Sequence, residues 1–367
     1  MAELHAARRA RLAAHLAERD IPAALVTRLV NVQYLTGLKS SNAAVLITDD
    51  GTATLATDGR YATAAAAVAP DVELVVIRGV ATELATRAGQ RGLGRLAVEQ
   101  HDVTLELAAA IRAALEDAGS TTELTEMGRA IEELRAVKDE SEIDSLRRAC
   151  EISCQALQEL FGAGSLLGRS ERVIARDLEW RMYAAGADAI AFETIVASGP
   201  NSAVPHHRPT DRVVERGDFV KIDFGAAFGG YHADCTRTCV VGGEPAAWQR
   251  EIYDIVAASQ RAGREALTPG GERIDVDKAS RSVIEDAGYG EQFGHGTGHG
   301  VGLEVHEAPT LGYSATGTLA ERMTVTVEPG IYLPDRGGVR IEDTLVVRAD
   351  GPELLTPLTK ELLVLDA

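Results

Sequence analysis

The stretch Phe293 to Glu307 reads Phe-Gly-His-Gly-Thr-Gly-His-Gly-Val-Gly-Leu-Glu-Val-His-Glu, so His295, His299 and His306 alternate first with glycines and then with β-forming residues. Neutral imidazoles are metal ligands and general acid–base groups. Glycines at alternate positions let a backbone pass close to a ligand. Four carboxylates stand in comparable settings. Asp223 lies in Asp-Phe-Val-Lys-Ile-Asp-Phe-Gly (218–225), flanked by apolar neighbours, and Asp234 in Tyr-His-Ala-Asp-Cys-Thr-Arg-Thr-Cys-Val-Val (231–241). Glu328 ends the β-rich run that begins at Met323, and Glu342 lies within Gly-Val-Arg-Ile-Glu-Asp-Thr-Leu-Val-Val (338–347). A carboxylate among such residues is costly to bury unless a metal or an arginine compensates it. A salt-bridged structural pair would account for the two aspartates alone. Two Asp, one His and two Glu together suit a pair of divalent ions such as Mn(II), Co(II), Fe(II) or Zn(II). Such a pair generates a hydroxide nucleophile and clamps a tetrahedral transition state.

These residues fall on elements of recognisable type. Residues 4–19 read as an Ala- and Arg-rich helix stopped by Pro22. Strands are expected at 23–26, 43–48, 53–56 and 72–77, interleaved with helices at 61–68, 80–90 and 105–118, a mixed α/β pattern with nothing catalytic in it. His101 stands alone there and reads as a satisfied or surface histidine. Asp139-Glu-Ser-Glu142 resembles a capping box opening a helix with Ile143, Leu146, Cys150, Cys154 and Leu157 on one stripe. A second helix follows the cap Ser170, with Val173, Ile174, Leu178 and Met182 on one side and Gly186 at its end. Beyond Phe192 strands dominate, with a polar loop carrying Pro205-His206, a hairpin over 218–241, a long helical segment over 245–287, and then the glycine-histidine stretch.

The chain carries 37 Lys+Arg against 55 Asp+Glu, a net charge of -18, with only 4% aromatic residues. That balance argues against nucleic acid and anionic membrane as partners. No run reaches the roughly 18 apolar residues of a membrane span, and the charged N-terminus lacks an apolar signal core, which points to the cytoplasm. At 367 residues two domains are expected, residues 1–134 and 135–367. Cys150/Cys154 and Cys235/Cys239 lack the tight spacing of structural zinc sites and read as reduced, buried thiols.

The order Asp223, Asp234, His299, Glu328, Glu342, with the surrounds Ile-Asp-Phe-Gly, Ala-Asp-Cys-Thr-Arg-Thr, Gly-His-Gly-Val-Gly-Leu, Val-Glu-Pro-Gly-Ile-Tyr and Arg-Ile-Glu-Asp, resembles the pita-bread metallopeptidases over about residues 139–360. It is most similar to the Xaa-Pro peptidases, prolidase and aminopeptidase P. Asn31-Val-Gln-Tyr-Leu-Thr-Gly37 and Thr57-Asp-Gly-Arg-Tyr61 resemble the creatinase-type N-domain. The resemblance implies an α+β fold: a C-terminal pita-bread domain of two αβ halves about a pseudo-twofold axis, preceded by a smaller α/β domain that contributes to a homodimer. It implies that Asp223 chelates one ion, that Asp234 and Glu342 bridge both, and that His299 and Glu328 complete the second. Glu328 is further implied to take the proton of a bridging water. His206 and His306 correspond to histidines that hold substrate and stabilise the oxyanion, and Tyr332 and Arg340 to a network orienting Asp223. His295 matches a pocket histidine or serves structure; His207, His232 and Asp343 lie outside the ligand set.

A creatinase-like amidinohydrolase lacks these ligands, a methionine aminopeptidase lacks the N-domain, and a non-enzymatic relative would have lost ligands that are all present here. The implied substrate is a peptide with proline second. Where several prolidases place an arginine shortly after the His-Glu pair, this chain has Thr310. A dipeptide's carboxylate then lacks its bidentate partner unless Arg28 or Arg60 replaces it, so aminopeptidase is preferred to dipeptidase.

Overall fold

The computed structural model describes residues 2–366 and divides into two compact units, one ending at Arg135 and the other starting at Ala136. The first unit runs α1 (Ala2–Glu18), β1 (Ala23–Val26), α2 (Leu29–Thr36), β2 (Ala43–Thr48), β3 (Ala53–Thr57), α3 (Ala62–Val68), β4 (Glu73–Val76), α4 (Val80–Gln90), β5 (Arg95–Val98), α5 (Leu105–Asp117), β6 (Glu123–Glu126) and α6 (Ala130–Ala136). Its six-stranded sheet has the order β4-β3-β2-β1-β5-β6. β1, β2 and β3 pair antiparallel, whereas β4, β5 and β6 join in parallel. Leu25, Leu46 and Leu96 of the sheet bury against Leu84 of α4 and Ile111 and Leu115 of α5. The expected elements are present with ends shifted by one or two residues. Helices α2 and α6 and strands β5 and β6 come in addition.

The second unit contains α7 (Glu140–Gly162), α8 (Glu171–Ala184), β7 (Ala189–Ile190), β8 (Ile195–Ser198), β9 (Phe219–Phe224), β10 (Ala226–Phe228), β11 (Tyr231–His232), β12 (Cys235–Val241), α9 (Ala247–Glu265) and α10 (Arg273–Asp286). It continues with β13 (Gly298–Gly300), β14 (Glu307–Leu311), β15 (Thr324–Val327), β16 (Gly330–Leu333), β17 (Gly337–Arg340), β18 (Asp343–Val346), β19 (Glu353–Leu354) and β20 (Val364–Leu365). Two larger sheets, β20-β12-β9-β8 and β14-β13-β15-β18-β19, carry the site. Strand β9 alternates cleanly. Val220, Ile222 and Phe224 pack with Leu157, Leu178 and Met182 of α7 and α8, while Phe219 packs on the opposite cluster with Ile252, Tyr253 and Ile284 of α9 and α10. Period-two geometry therefore puts Lys221 and Asp223 on the side away from α7 and α8.

Helix α7 starts with the expected capping box, Asp139 accepting from the Glu142 backbone and Glu142 accepting from the Asp139 backbone. All four cysteines are buried and free. Four expectations are corrected. Val173 is 50% exposed and leaves the stripe of Ile174, Leu178 and Met182, because one residue is about 100° of helix rotation. The 245–287 segment is two helices, broken where Pro269-Gly270-Gly271 intervenes and Gly270 takes φ +82°. The second arm of the 218–241 hairpin is interrupted. Gly229-Gly230 turns the short pair β10–β11, and β9 pairs instead with β12, so Asp234 sits in the gap before β12. Glu342 likewise lies between β17 and β18 and not inside a strand.

Candidate metal centre

Strand ends supply the acidic residues. Asp223 is the penultimate residue of β9, Asp234 precedes β12, Glu328 follows β15 and Glu342 lies between β17 and β18, while His299 is the middle residue of β13. The glycines beside His299 serve strand approach, and Gly298 also lines a cavity. A Cβ on Gly298 would lie 2.0 Å from the Thr326 carbonyl oxygen, and one on Gly300 2.1 Å from that of Ala308. With both neighbours that close, β13 is locked between β14 and β15 and the His299 ring has a fixed origin.

The five residues come together. Ligand-type atoms of Asp223, Asp234 and Glu342 lie within 4.8 Å of one another, as do those of His299, Glu328 and Glu342. His299 Nε2 is 3.2 Å from Glu328 Oε1 and 3.6 Å from Asp234 Oδ2. Its Nδ1 is 3.0 Å from the Gly300 carbonyl, which places the proton on Nδ1 and leaves Nε2 facing the carboxylates. Asp223 Oδ2 accepts from Arg340 Nη2 at 2.5 Å, and Glu342 Oε2 from Thr236 Oγ1 at 2.7 Å. Their second oxygens, Asp223 Oδ1 and Glu342 Oε1, are buried without a hydrogen-bond partner.

Charge is as unbalanced as the bonding. Burial, then the carboxylates of Glu342, Asp223 and Glu328, push Asp234 well above the usual range, and burial with Glu328 and Asp223 does the same to Glu342. Glu328 moves the other way: burial would raise it, but the adjoining His299 holds it down at about 2. Four carboxylates and one imidazole, with unpartnered buried oxygens, are the donor set that hard or borderline divalent cations require, and the residues fit such ions.

Around this centre Arg340 Nη1 donates to Tyr332 Oη at 2.8 Å, and Tyr332 lies 2.9 Å from His295 Nε2, whose Nδ1 faces the Gly296 carbonyl at 2.9 Å. Both nitrogens of His295 are thereby engaged within the protein. The His306 ring lies 4.3 Å from that of His299, centroid to centroid, and burial followed by His299 lowers its pKa. His206 and His306 both line two adjoining cavities, of about 290 and 380 Å³, that open on the acidic cluster. The smaller has an apolar wall of Phe192, Ile195 and Val305; the larger includes Thr310 and Tyr313.

Among residues left outside the ligand set, His207 binds Glu171, His232 faces the Gly302 carbonyl, and Asp343 is fully buried with Arg237 and Lys360. Sequence reasoning passed over Thr236, Arg237, Lys221 and Glu171. Arg237 Nη1 reaches the Glu342 carbonyl oxygen at 2.5 Å and its Nη2 Asp343 at 2.7 Å, fixing the break that turns Glu342 into the cluster. At Arg237 a charged residue amid β-branched neighbours was the available signal, and it was read only at the acids.

Residues 144–349 match metallopeptidase family M24, and residues 8–137 match the creatinase/prolidase N-terminal domain. The chain is 38% identical over 342 residues to an uncharacterized peptidase, YqhT, of Bacillus subtilis, covering 93% of this chain and 95% of that one. Its fold superposes on an Xaa-Pro dipeptidase from Bacillus anthracis with TM-score 0.93 at 37% identity, covering 98% and 100% of the two chains. An X-Pro aminopeptidase from Thermotoga maritima gives TM-score 0.86 at 36% identity, covering 95% and 97%. With a matched catalytic domain, a matched N-terminal domain and relatives aligned over nearly their whole length, the chain belongs to metallopeptidase family M24 and is a hydrolase.

Proposed function

We propose that the chain is an exopeptidase that hydrolyses the bond between an N-terminal residue and a penultimate proline, using two divalent ions. The observation that carries this reading is the buried cluster of four carboxylates and His299 with two unpartnered oxygens. Asp223, Asp234, Glu342, His299 and Glu328 would hold the ions, with Asp234 and Glu342 the residues that both would draw on. Bound there, the ions supply Lewis acidity and a water of lowered pKa. Glu328, kept ionised beside His299, is the proton acceptor. His306, whose lowered pKa keeps it neutral near pH 7, donates to the developing oxyanion, and His206 faces it across the same cavities. Arg340 holds Asp223 by one oxygen and leaves the other for an ion. Mn(II) is the ion proposed.

Aminopeptidase action rests on Thr310, an exposed residue that offers no cation to a dipeptide carboxylate. The expected substitutes are engaged elsewhere, Arg28 with Glu132 and Arg60 with Asp58. One observation favours dipeptidase action instead. Arg208 lines the cavity with the apolar wall, 84% exposed and 3.1 Å from Glu193, an exposed pairing cheap to exchange for a substrate carboxylate. Comparing kcat/KM on an Xaa-Pro dipeptide and an Xaa-Pro-Xaa tripeptide tests the choice. A dipeptide preference of about tenfold overturns the aminopeptidase reading.

A further inference from the structure

His206 is exposed to the cavities, and its ring makes no hydrogen bond to another described residue, so only its backbone aims it. That backbone is held by two buried polar side chains, Glu171 and Lys221. Glu171, at the first turn of α8 and fully buried, accepts six hydrogen bonds from the 198–210 segment, three from each side of His206. Its Oε1 takes Ser198 N, Ser198 Oγ and Asn201 Nδ2 at 2.8–2.9 Å. Its Oε2 takes His207 Nε2 at 2.8 Å, Thr210 N at 2.9 Å and Thr210 Oγ1 at 2.7 Å. On the N-terminal flank Lys221, equally buried on β9, donates to the carbonyls of Ser202, Val204 and Pro205 at 3.1, 2.6 and 3.3 Å. Arg340 adds a bond to the Pro205 carbonyl at 3.2 Å.

We propose that Glu171 and Lys221 are positioning residues that set the His206 imidazole over the reaction centre, Glu171 through His207 and Thr210, Lys221 through Val204 and Pro205. The proposal rests on the reading of His206 as a transition-state group. Local hydrogen bonding of a loop would need neither charge nor burial. A carboxylate with all its lone-pair directions filled, opposite a lysine nitrogen on three carbonyls, instead allows the backbone either side of His206 one arrangement. Because a displacement of about 1 Å at a catalytic group costs on the order of 10²-fold in rate, loosening this clamp reaches the chemistry without touching substrate.

The test is a double-mutant cycle on Xaa-Pro hydrolysis, with metal content measured in each variant. Glu171→Gln keeps the side-chain shape but presents an amide NH₂ where donors must be accepted. It is expected to lower kcat by about tenfold at unchanged metal content, and to add less than about twofold when His206→Ala is already present. Multiplicative losses in the double variant overturn the positioning role. Wild-type kcat in His206→Ala alone overturns the reading of His206 and the proposal with it. Should Glu171→Gln not fold, Thr210→Val removes one donor; kcat is expected to fall about threefold and Thr210→Ser to restore it, and failure of Ser to rescue overturns the proposal.

Discussion

Each unit of the chain contains a buried cluster of acids and histidine, built from similar residue types. In the N-terminal unit Glu99, His101 and Glu132 bring ligand-type atoms within 4.8 Å of one another, as the acids around His299 do in the C-terminal unit. Their surroundings separate them. Glu99 Oε2 accepts from the backbone of Thr27 and Arg28 at 2.7 and 2.8 Å, and its Oε1 from Asn31 Nδ2 at 2.6 Å. Glu132 Oε1 receives Arg28 Nη1 at 2.7 Å and Asn31 Nδ2 and His101 Nε2 at 3.0 Å. A guanidinium, an amide and two backbone N–H groups thus serve three of the four carboxylate oxygens, and Glu132 Oε2 is buried without a hydrogen-bond partner among the described residues. In the C-terminal cluster Arg340 bonds Asp223 alone of the four carboxylates, and burial, then the neighbouring carboxylates, drives Asp234 and Glu342 up. Acid–histidine composition therefore does not separate the two clusters; the supply of donors relative to carboxylates does.

The largest effect expected from this contrast is at the shared carboxylates. Asp234→Asn or Glu342→Gln should abolish measurable turnover while the chain stays folded, and exhaustive chelation should do the same reversibly, Mn(II) or Co(II) restoring activity. Full peptidase activity in protein shown by elemental analysis to be metal-free would sink the dinuclear reading. Next come the imidazoles. His299→Ala should lose metal and activity together, whereas His306→Ala should keep its metal and lose roughly 10²-fold in kcat. Equal metal loss in the two variants would mean that the roles are wrongly divided.

The N-terminal cluster should respond in another currency. Glu99→Gln or Glu132→Gln should leave metal stoichiometry and kcat near wild type and reduce stability by about 1–3 kcal/mol, the cost of buried donors left without their acceptor. A drop of one ion per chain in either variant would make this cluster a third metal site and end the contrast.

How far these clusters were legible in the sequence differs for the same reason. The C-terminal one announced itself because carboxylates within β-branched runs, at Asp223, Glu328 and Glu342, break a pattern that burial enforces. The N-terminal one was passed over. Its members Asn31, Glu99 and Glu132 come from three separate elements, and His101 read in isolation as unremarkable. Helix α2 was missed with it, since Leu29–Thr36 is apolar nearly all round and its N-cap, Arg28, makes no side-chain cap bond, so neither periodicity nor a start signal marked it. Strand β6, Glu-Leu-Thr-Glu at a sheet edge, shows half-polar composition for the same want of burial. Glu171 and Lys221 were invisible for a further reason. Their partners are mostly backbone atoms of a loop, and a loop's course is not written in residue periodicity.

The smallest effect, and the one that sharpens the contrast most, is the sign of the pH dependence. Burial works to raise Glu132, but the Asn31 amide, its own backbone N–H, His101 and Arg28 outweigh it and hold the carboxyl below its ordinary 4.5. The unfolded chain then binds that proton more readily than the folded one, so the Glu132 contribution is fully present above 4.5 and is lost as pH falls through the folded value. Asp234 and Glu342 in metal-free protein behave oppositely. Their raised values mean that the folded state holds protons longer, so stability declines as pH rises past the ordinary 3.8 and 4.5. Glu99, raised chiefly by burial, shares that second sign, which is why Glu132 is to be read by difference. Thermal unfolding of metal-stripped wild type, Glu132→Gln and Glu342→Gln between about pH 3 and pH 7 separates the terms. The gap between wild type and Glu132→Gln should shrink on acidification, while Glu342→Gln should gain on wild type as pH rises and lose that advantage once Mn(II) is added, because the ion replaces the missing protons only where both carboxylate oxygens are available. Gaps that move in the same direction would show that donors, and not a cation, satisfy the C-terminal cluster as well.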